Sequence, residues 1–394
     1  MNPNKSVECI APFSSLYVTN AKIGLPCCII KKKNDDANID FDKDLNWNFN
    51  STNKFYQDEF LSFGNDFAKY KDCQACYLPP GVENAATQKD MHNKEIINDL
   101  DYIKNPTVTN LHIKFSNLCN LACRMCDPFS SNLLFKDFTE FHITDDMRID
   151  ANKVITNIPK DSVLYKSIID NLSNIRRLWF SGGETLLHDE VWEILKSLHN
   201  TGQSKNVTLQ LNTNGTVKLS SEEIEILKSF KRLILHVSID GIGNLAEYVR
   251  TNLNWNSWIE NFKIYNENFN KRDHDFQIVT TVSTFNIHKL LEIRNYFVEN
   301  FDQEIYMNFV YGPWPETVPH NISDRAKEYL LNLYRGDLLG PIVENYLKNK
   351  STIDSSKITD MIDVRDNKLI ANKTYKNYKA FRDVEPEWYN ILKS

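Results

Sequence analysis

The sequence predicts an α/β protein, a partial (β/α)6 TIM-like barrel with a cysteine-bearing segment ahead of it and a helical tail behind it. Three observations predict this. Between residues 109 and 310, six short apolar runs alternate with helix-length segments, the pattern of βα units around a parallel sheet. All eight cysteines lie before residue 127, five of them ahead of the first run and three directly after it. Beyond residue 319 the apolar spacing is helical.

Taken in order, residues 1–93 hold Cys9, Cys27, Cys28, Cys73 and Cys76. A hairpin is expected from 15–18 through a polar turn at 19–22 to 23–28, which would bring Cys9 near Cys27. Residues 94–108 read as a linker helix ending at Asn105-Pro106. Strands are expected near 109–116, 177–181, 207–213, 232–239, 276–283 and 304–310, with a helical insertion at 141–175. Ser220 and Glu223 have capping-box spacing, so a helix starts there. Another helix ends near Thr201-Gly202. The tail has helices near 325–334 and 342–349 and closes on Trp388 and Tyr389. Three regions follow: 1–93, 94–318 and 319–394.

Strand side chains alternate faces, so the polar positions can be sorted. With Leu233, Leu235, Val237 and Ile239 toward the helices, Ile234, His236, Ser238 and Asp240 face inward. His112, Lys114, Gln210, Asn212, Gln277, Thr281, Tyr306 and Asn308 follow the same rule. A closed barrel fills its centre with branched apolar side chains. A polar interior instead implies room for ligands, and His236, Asp240, Tyr306 and Asn308 are candidate substrate contacts.

Composition narrows the function classes. Hydrophobic residues make up 41% and charged residues 25%, enough for a sizeable core, and the net charge of -6 argues against a nucleic-acid partner. No apolar run is long enough to cross a bilayer, and the N-terminus has no signal-peptide core, so a cytoplasmic protein is expected. In a reducing compartment, eight cysteines read as metal ligands rather than disulfides.

The chemistry concentrates in Cys119-x-x-x-Cys123-x-x-Cys126, just after the first strand. Three thiolates on one loop can hold three irons of a 4Fe–4S cube and leave the fourth iron open to chelate a small molecule. The spacing is not that of a zinc knuckle or ribbon. The loop resembles that of the radical S-adenosylmethionine superfamily. Ser181-Gly182-Gly183-Glu184 after the second strand resembles the family's Gly-Gly-Glu element, which implies that Gly182, Gly183 and Glu184 bind the methionine amino group. Asn212-Thr213-Asn214-Gly215 and Ser238-Ile239-Asp240-Gly241 resemble family elements after the third and fourth strands. They imply cofactor contacts for Asn212, Asn214 and Ser238, although Asn-Gly also favours turns anywhere. Arg250 is a candidate partner for the methionine carboxylate, with a surface arginine as the alternative; Asn286 is a candidate of the same kind. The sequence departs from the family at Thr185, where a proline is usual, and at Met125, where an aromatic residue often packs on adenine; methionine can make a polarizable contact there.

The N-terminal cysteines resemble a twitch or SPASM-like auxiliary-cluster module, here ahead of the barrel rather than behind it. The matching residues are Cys9 to Phe13, Leu16-Tyr17-Val18, Pro26-Cys27-Cys28, and Cys73-x-x-Cys76 followed by Glu83; the turn has Ala21-Lys22 in place of the frequent Asp-Gly. Four of the five could ligate a second 4Fe–4S cluster, with Cys27 or Cys28 spare, and zinc is the alternative metal. The resemblance implies an enzyme that reductively cleaves S-adenosylmethionine and abstracts hydrogen from a peptide or amino-acid-derived substrate. It would draw electrons from a donor such as flavodoxin or ferredoxin. The alternatives are a small-molecule dehydrogenase or carbon-skeleton enzyme, RNA modification, and a non-catalytic iron–sulfur sensor.

Overall fold

A computed structural model describes residues 9, 11–20, 22–27, 38–63, 104–135, 156–270, 274–371 and 379–394. Its strands are β1 (Ser15–Thr19), β2 (Gly24–Leu25), β3 (Asn110–Lys114), β4 (Ala122–Cys123), β5 (Arg177–Ser181), β6 (Thr208–Thr213), β7 (Arg232–Ser238), β8 (Arg250–Thr251), β9 (His274–Val282) and β10 (Ile305–Phe309). β3, β5, β6, β7, β9 and β10 are the six expected barrel strands, in chain order. The fold class is the expected one: mixed α/β on a mainly parallel sheet of the partial TIM-barrel kind, with a helical C-terminal region. The chain divides into two compact units, Met1–Asn117 with Ile155–Leu211 and Glu225–Leu233, and Leu118–Val154 with Asn212–Ile224 and Ile234–Ser394.

In the first unit the strands run in the order β6-β5-β3-β1-β2. The expected hairpin forms, with Tyr17 opposite Leu25 and Val18 opposite Gly24. β1 also pairs in parallel with β3, an association the hairpin reading did not anticipate. The register builds two apolar rows, Leu16-Leu111-Leu178-Leu209 and Val18-Ile113-Phe180-Leu211. All eight side chains are buried, each burial stabilising by about 1.5–3 kcal/mol. Between them runs the other face, Tyr17-His112-Trp179-Gln210. Helix Asp189–Asn200 buries Val191, Trp192, Ile194, Leu195 and Leu198, the stripe of a 3.6-residue period. It stops as expected, Gly202 taking φ +71 and donating its N–H to the His199 carbonyl.

In the second unit β7, β9 and β10 are neighbours in that order. Leu235 and Val237 are fully buried, whereas His236 and Ser238, which alternate with them, are half-buried. Thr281 and Asn308 sit opposite each other in the β9–β10 register, both half-buried. The Ser220 capping box closes in both directions: the Ser220 N–H donates to Glu223 Oε2 at 2.7 Å, and the Glu223 N–H donates to Ser220 Oγ at 3.3 Å. The tail is helical over Asp324–Leu333, Gly340–Leu347, Ile358–Ala371 and Pro386–Lys393. Trp388 and Tyr389 are buried in an apolar cluster with Phe285, Leu330, Tyr334 and Ile362.

Several expectations lie outside the described residues: Cys28, Cys73, Cys76 and Glu83, most of the 94–108 linker helix, and the start of the 141–175 insertion, whose later part is helical at Val163–Asp170.

Candidate functional site

The cysteine loop is fastened before any metal is considered. β4 pairs with β8 in antiparallel register, Cys123 opposite Arg250, and the Arg124 N–H donates to the Val249 carbonyl. The Cys119 N–H donates to Asn132 Oδ1 at 3.0 Å, and Ser131 Oγ donates to the Leu121 carbonyl at 2.7 Å. These bonds fix the backbone on both sides of the first two cysteines.

The sulfurs of Cys119 and Cys123 have N–H donors of their own. Cys119 Sγ accepts from the Leu121 N–H at 3.5 Å and from Asn214 Nδ2 at 3.7 Å. Arg250 Nη1 lies 4.0 Å from Cys123 Sγ. A hydrogen bond with Cys126, followed by burial, pushes the metal-free Cys123 thiol up. Among the described residues no three His, Cys, Asp or Glu side chains converge on a point, as a single bound ion would require. A cube takes one sulfur on each of three irons, so its ligands need separation rather than convergence. Thiolates on a fixed loop, with Cys123 buried and Cys119 and Cys126 half-buried, fit that group.

Asn214 and Asn120 bridge the loop to the Asn-Gly turn. Asn214 Nδ2 donates to Asn120 Oδ1 at 3.0 Å, and Asn120 Nδ2 donates to Thr216 Oγ1 at 2.8 Å. Gly215 has φ +74, and a Cβ there would lie 2.6 Å from Trp258 Nε1, which donates to the Asn214 carbonyl at 2.9 Å. The turn therefore needs glycine twice over, for its dihedral and for the indole's approach. Asn214, expected at the cofactor, holds Cys119 in this structure; Asn212 is half-buried at the end of β6.

Arg250 and Asp240 form a buried ion pair at 2.8 Å, with side chains 8% and 0% exposed. Asp240 Oδ1 also accepts the Thr281 N–H at 2.7 Å. Burial works against the Arg250 charge, but Asp240 and the Cys123 sulfur outweigh it and hold the guanidinium above its ordinary range. Asn286 is fully buried and donates to the carbonyls of Asp240 and Thr281, at 3.0 and 2.9 Å. Met125 is buried in an apolar cluster with Leu245, Tyr248 and Val249.

In the first unit, Gly182 takes φ +129, and a Cβ there would sit 2.5 Å from the Ser116 carbonyl oxygen, which accepts the Gly183 N–H at 2.8 Å. Glu184 is fully buried and accepts the Leu186 N–H at 3.1 Å. His112 stacks on Trp179 at 3.7 Å between ring centres, contacts Tyr17 at 4.4 Å, and shares a 2.7 Å hydrogen bond with Ser181 Oγ. Tyr17, His112 and Trp179 line a small cavity with Cys27, Asn110 and Arg177. Cys9 and Cys27 are half-buried. In the second unit Tyr306 and Asn308 are half-buried on β10.

Arg124, Trp314, Arg365 and Asp366 belong to none of these motifs, yet all are buried and bonded to one another or to the cysteine loop. A signal was available. Arg365 and Asp366 fall on the same helical stripe as Ile358, Ile362 and Leu369, where charge is out of place unless paired.

Residues 113–296 match the Radical SAM superfamily. No curated protein matches the chain. Among solved structures the chain is similar to native anSMEcpe with bound AdoMet, at 19% identity over 57% of this chain and 58% of that one, with a TM-score of 0.39. It is also similar to Streptococcus suis SuiB, at 13% identity over 84% of this chain and 61% of that one, TM-score 0.36. A third is TYW1 with a lysine–pyruvate adduct bound, at 16% identity over 56% and 70%, TM-score 0.30. The chain thus spans less than two thirds of the length of anSMEcpe or SuiB. The segment that matches the Radical SAM superfamily, residues 113–296, is somewhat under half of the chain and contains Cys119, Cys123 and Cys126.

Proposed function

We propose that the chain is an enzyme that cleaves S-adenosylmethionine reductively and takes a hydrogen atom from a peptide or amino-acid-derived substrate. One observation carries the first part: within a segment that matches the superfamily, Cys119, Cys123 and Cys126 lie on one loop, where Leu121 and Asn214 donate to the Cys119 sulfur and Arg250 to that of Cys123. When bound there, a 4Fe–4S cluster supplies the electron that splits S-adenosylmethionine into methionine and a 5'-deoxyadenosyl radical.

The rest falls to the protein's own groups. Gly182, Gly183 and Glu184 hold the methionine amino group, and Asn212, Asn214, Ser238 and Met125 take the remaining cofactor contacts. Arg250, held charged by Asp240, offers its guanidinium to Cys123 Sγ and to the methionine carboxylate. His236, Asp240, Tyr306 and Asn308 orient the substrate. Cys9, with Cys27 or Cys28, Cys73 and Cys76, holds a second 4Fe–4S cluster in a module over 1–93. A flavodoxin or ferredoxin supplies electrons. The peptide class rests on the resemblance of that module to twitch and SPASM domains. Among the described residues no helix is long and apolar enough to cross a membrane.

The test is anaerobic reconstitution followed by incubation with S-adenosylmethionine and reductant. The wild-type chain is expected to bind about eight irons, four at each centre, and to release 5'-deoxyadenosine. The triple variant Cys119→Ala, Cys123→Ala, Cys126→Ala keeps about four irons and releases none. A wild-type chain that makes no 5'-deoxyadenosine under any reductant refutes the enzyme reading. About four irons in the wild type removes the second cluster, and zinc there makes that module structural. Deuterium transfer from labelled peptides, against labelled small molecules, decides the substrate class.

A further inference from the structure

We propose that the Ile358–Ala371 helix braces the cysteine loop, with Arg365, Asp366 and the neighbouring Trp314 acting as positioning residues for the metal site. This rests on the cluster reading of Cys119, Cys123 and Cys126.

The brace grips the loop at three points between and at the second and third cysteines. Asp366 Oδ1 accepts from Arg124 Nη2 at 2.5 Å and from the Tyr248 hydroxyl at 3.1 Å, while its Oδ2 accepts the Phe381 N–H at 2.7 Å. Arg365 Nη1 donates to the Arg124 carbonyl at 2.9 Å and to Glu316 Oε1 at 3.0 Å. Its guanidinium lies 3.7 Å over the Trp314 ring, and Trp314 Nε1 donates to the Cys126 carbonyl at 2.8 Å. Arg124 is 0% exposed, Asp366 1% and Arg365 2%.

A helix that only had to pack here would present apolar side chains, and Leu369 does so against Ala122 and Leu134. Apolar contact tolerates sliding. Hydrogen bonds to a named side chain and two named carbonyls do not, because each has a direction as well as a distance. Burying two arginines and two carboxylates is costly unless every charge is matched, so the network fixes one arrangement of the loop. The chain between Cys123 and Cys126 cannot rotate without breaking one of these bonds. Outer partners of this kind set metal affinity through the ligands they orient.

The test uses the full chain, reconstituted anaerobically, with variants Trp314→Phe, Arg365→Met and Arg365→Lys, and Arg294→Ala as a surface control. Far-UV circular dichroism and the thermal midpoint report the fold. The rate of iron loss to a chelator reports the site, as does the electron paramagnetic resonance signal of the reduced protein before and after S-adenosylmethionine. Trp314→Phe keeps an aromatic ring for Arg365 while removing the donor to Cys126 and part of the buried indole, and its thermal midpoint separates the packing loss from the site effect, so it decides the matter if Arg365→Met fails to fold. Trp314→Phe and Arg365→Met are expected to lose iron about 10- to 100-fold faster than wild type, with an altered signal. Arg365→Lys falls between, and Arg294→Ala matches wild type. Folded variants that hold iron as long as wild type, with an unchanged signal, overturn the brace. A wild-type chain that takes up no iron at the three cysteines refutes the cluster reading and this proposal with it.

Discussion

Replacing Asp240 by Asn tests the electrostatics beside Cys123. The substitution keeps an oxygen for the Thr281 N–H and removes only the charge opposite Arg250. The guanidinium is then left buried with no counter-charge on its ion-pair side, and breaking such a pair costs about 3–5 kcal/mol. For 394 residues, at about 2.1 cal/mol/K of unfolding entropy per residue, that lowers the thermal midpoint by about 4–6 °C. Adding Arg250→Met removes the orphaned charge, and the double variant should recover most of that loss, since apolar replacement of a buried pair is often neutral. Stability returns in the double variant, but the donor to Cys123 does not. Its chelator-driven iron loss should stay about 10- to 100-fold faster than wild type. Urea and thermal unfolding of the two single variants and the double variant measure the first part. A single variant costing under about 1 kcal/mol, the level of an exposed pair, would refute the burial argument. So would a double variant no more stable than Asp240→Asn.

Two further outcomes follow from local geometry. Gly182→Ala must adopt φ +129 with a Cβ 2.5 Å from the Ser116 oxygen. It should cost at least about 1–3 kcal/mol and weaken S-adenosylmethionine binding by the reconstituted protein in calorimetry; an unchanged thermal midpoint would contradict the close approach. Burial lowers the imidazole pKa of His288 despite Glu385, and that of His188 despite Glu190 and Asp189. Both stay neutral in the folded chain to lower pH than in the unfolded one. Their contribution is whole above the unfolded value of about 6.5 and is lost as pH falls below it. The urea midpoint should therefore drop between pH 7.5 and 5.5, and the His188→Gln, His288→Gln variant should flatten that slope.

The six barrel strands are legible because their signal is local. Each is a short apolar run whose inner residues alternate with polar ones, and the observed ends lie within a few residues of the expected ones. The Ser220 capping box is local too. Long-range polar partnership is what eludes the sequence. Asn214, Arg250 and Asp240 are readable as site residues by motif, but their bonds to Cys119, to Cys123 and to each other depend on loops meeting in space. Arg124 and Asp366 are 242 positions apart, and no spacing rule links them. Charged residues on a helix's apolar stripe are the trace such a partnership leaves in sequence, and they identify that something is paired without saying with what.

The parallel pairing of β1 with β3 bears on solubility. A bare β3 would present a row of unpaired backbone groups beside Leu111 and Ile113, an edge onto which another chain could add a strand. β1 covers that edge, and β1's own far side carries β2, only two residues long. A strand that short offers too few hydrogen bonds to template further growth. The N-terminal hairpin is thus a stopper as well as the carrier of Cys27: it ends the sheet where an unprotected one could polymerise.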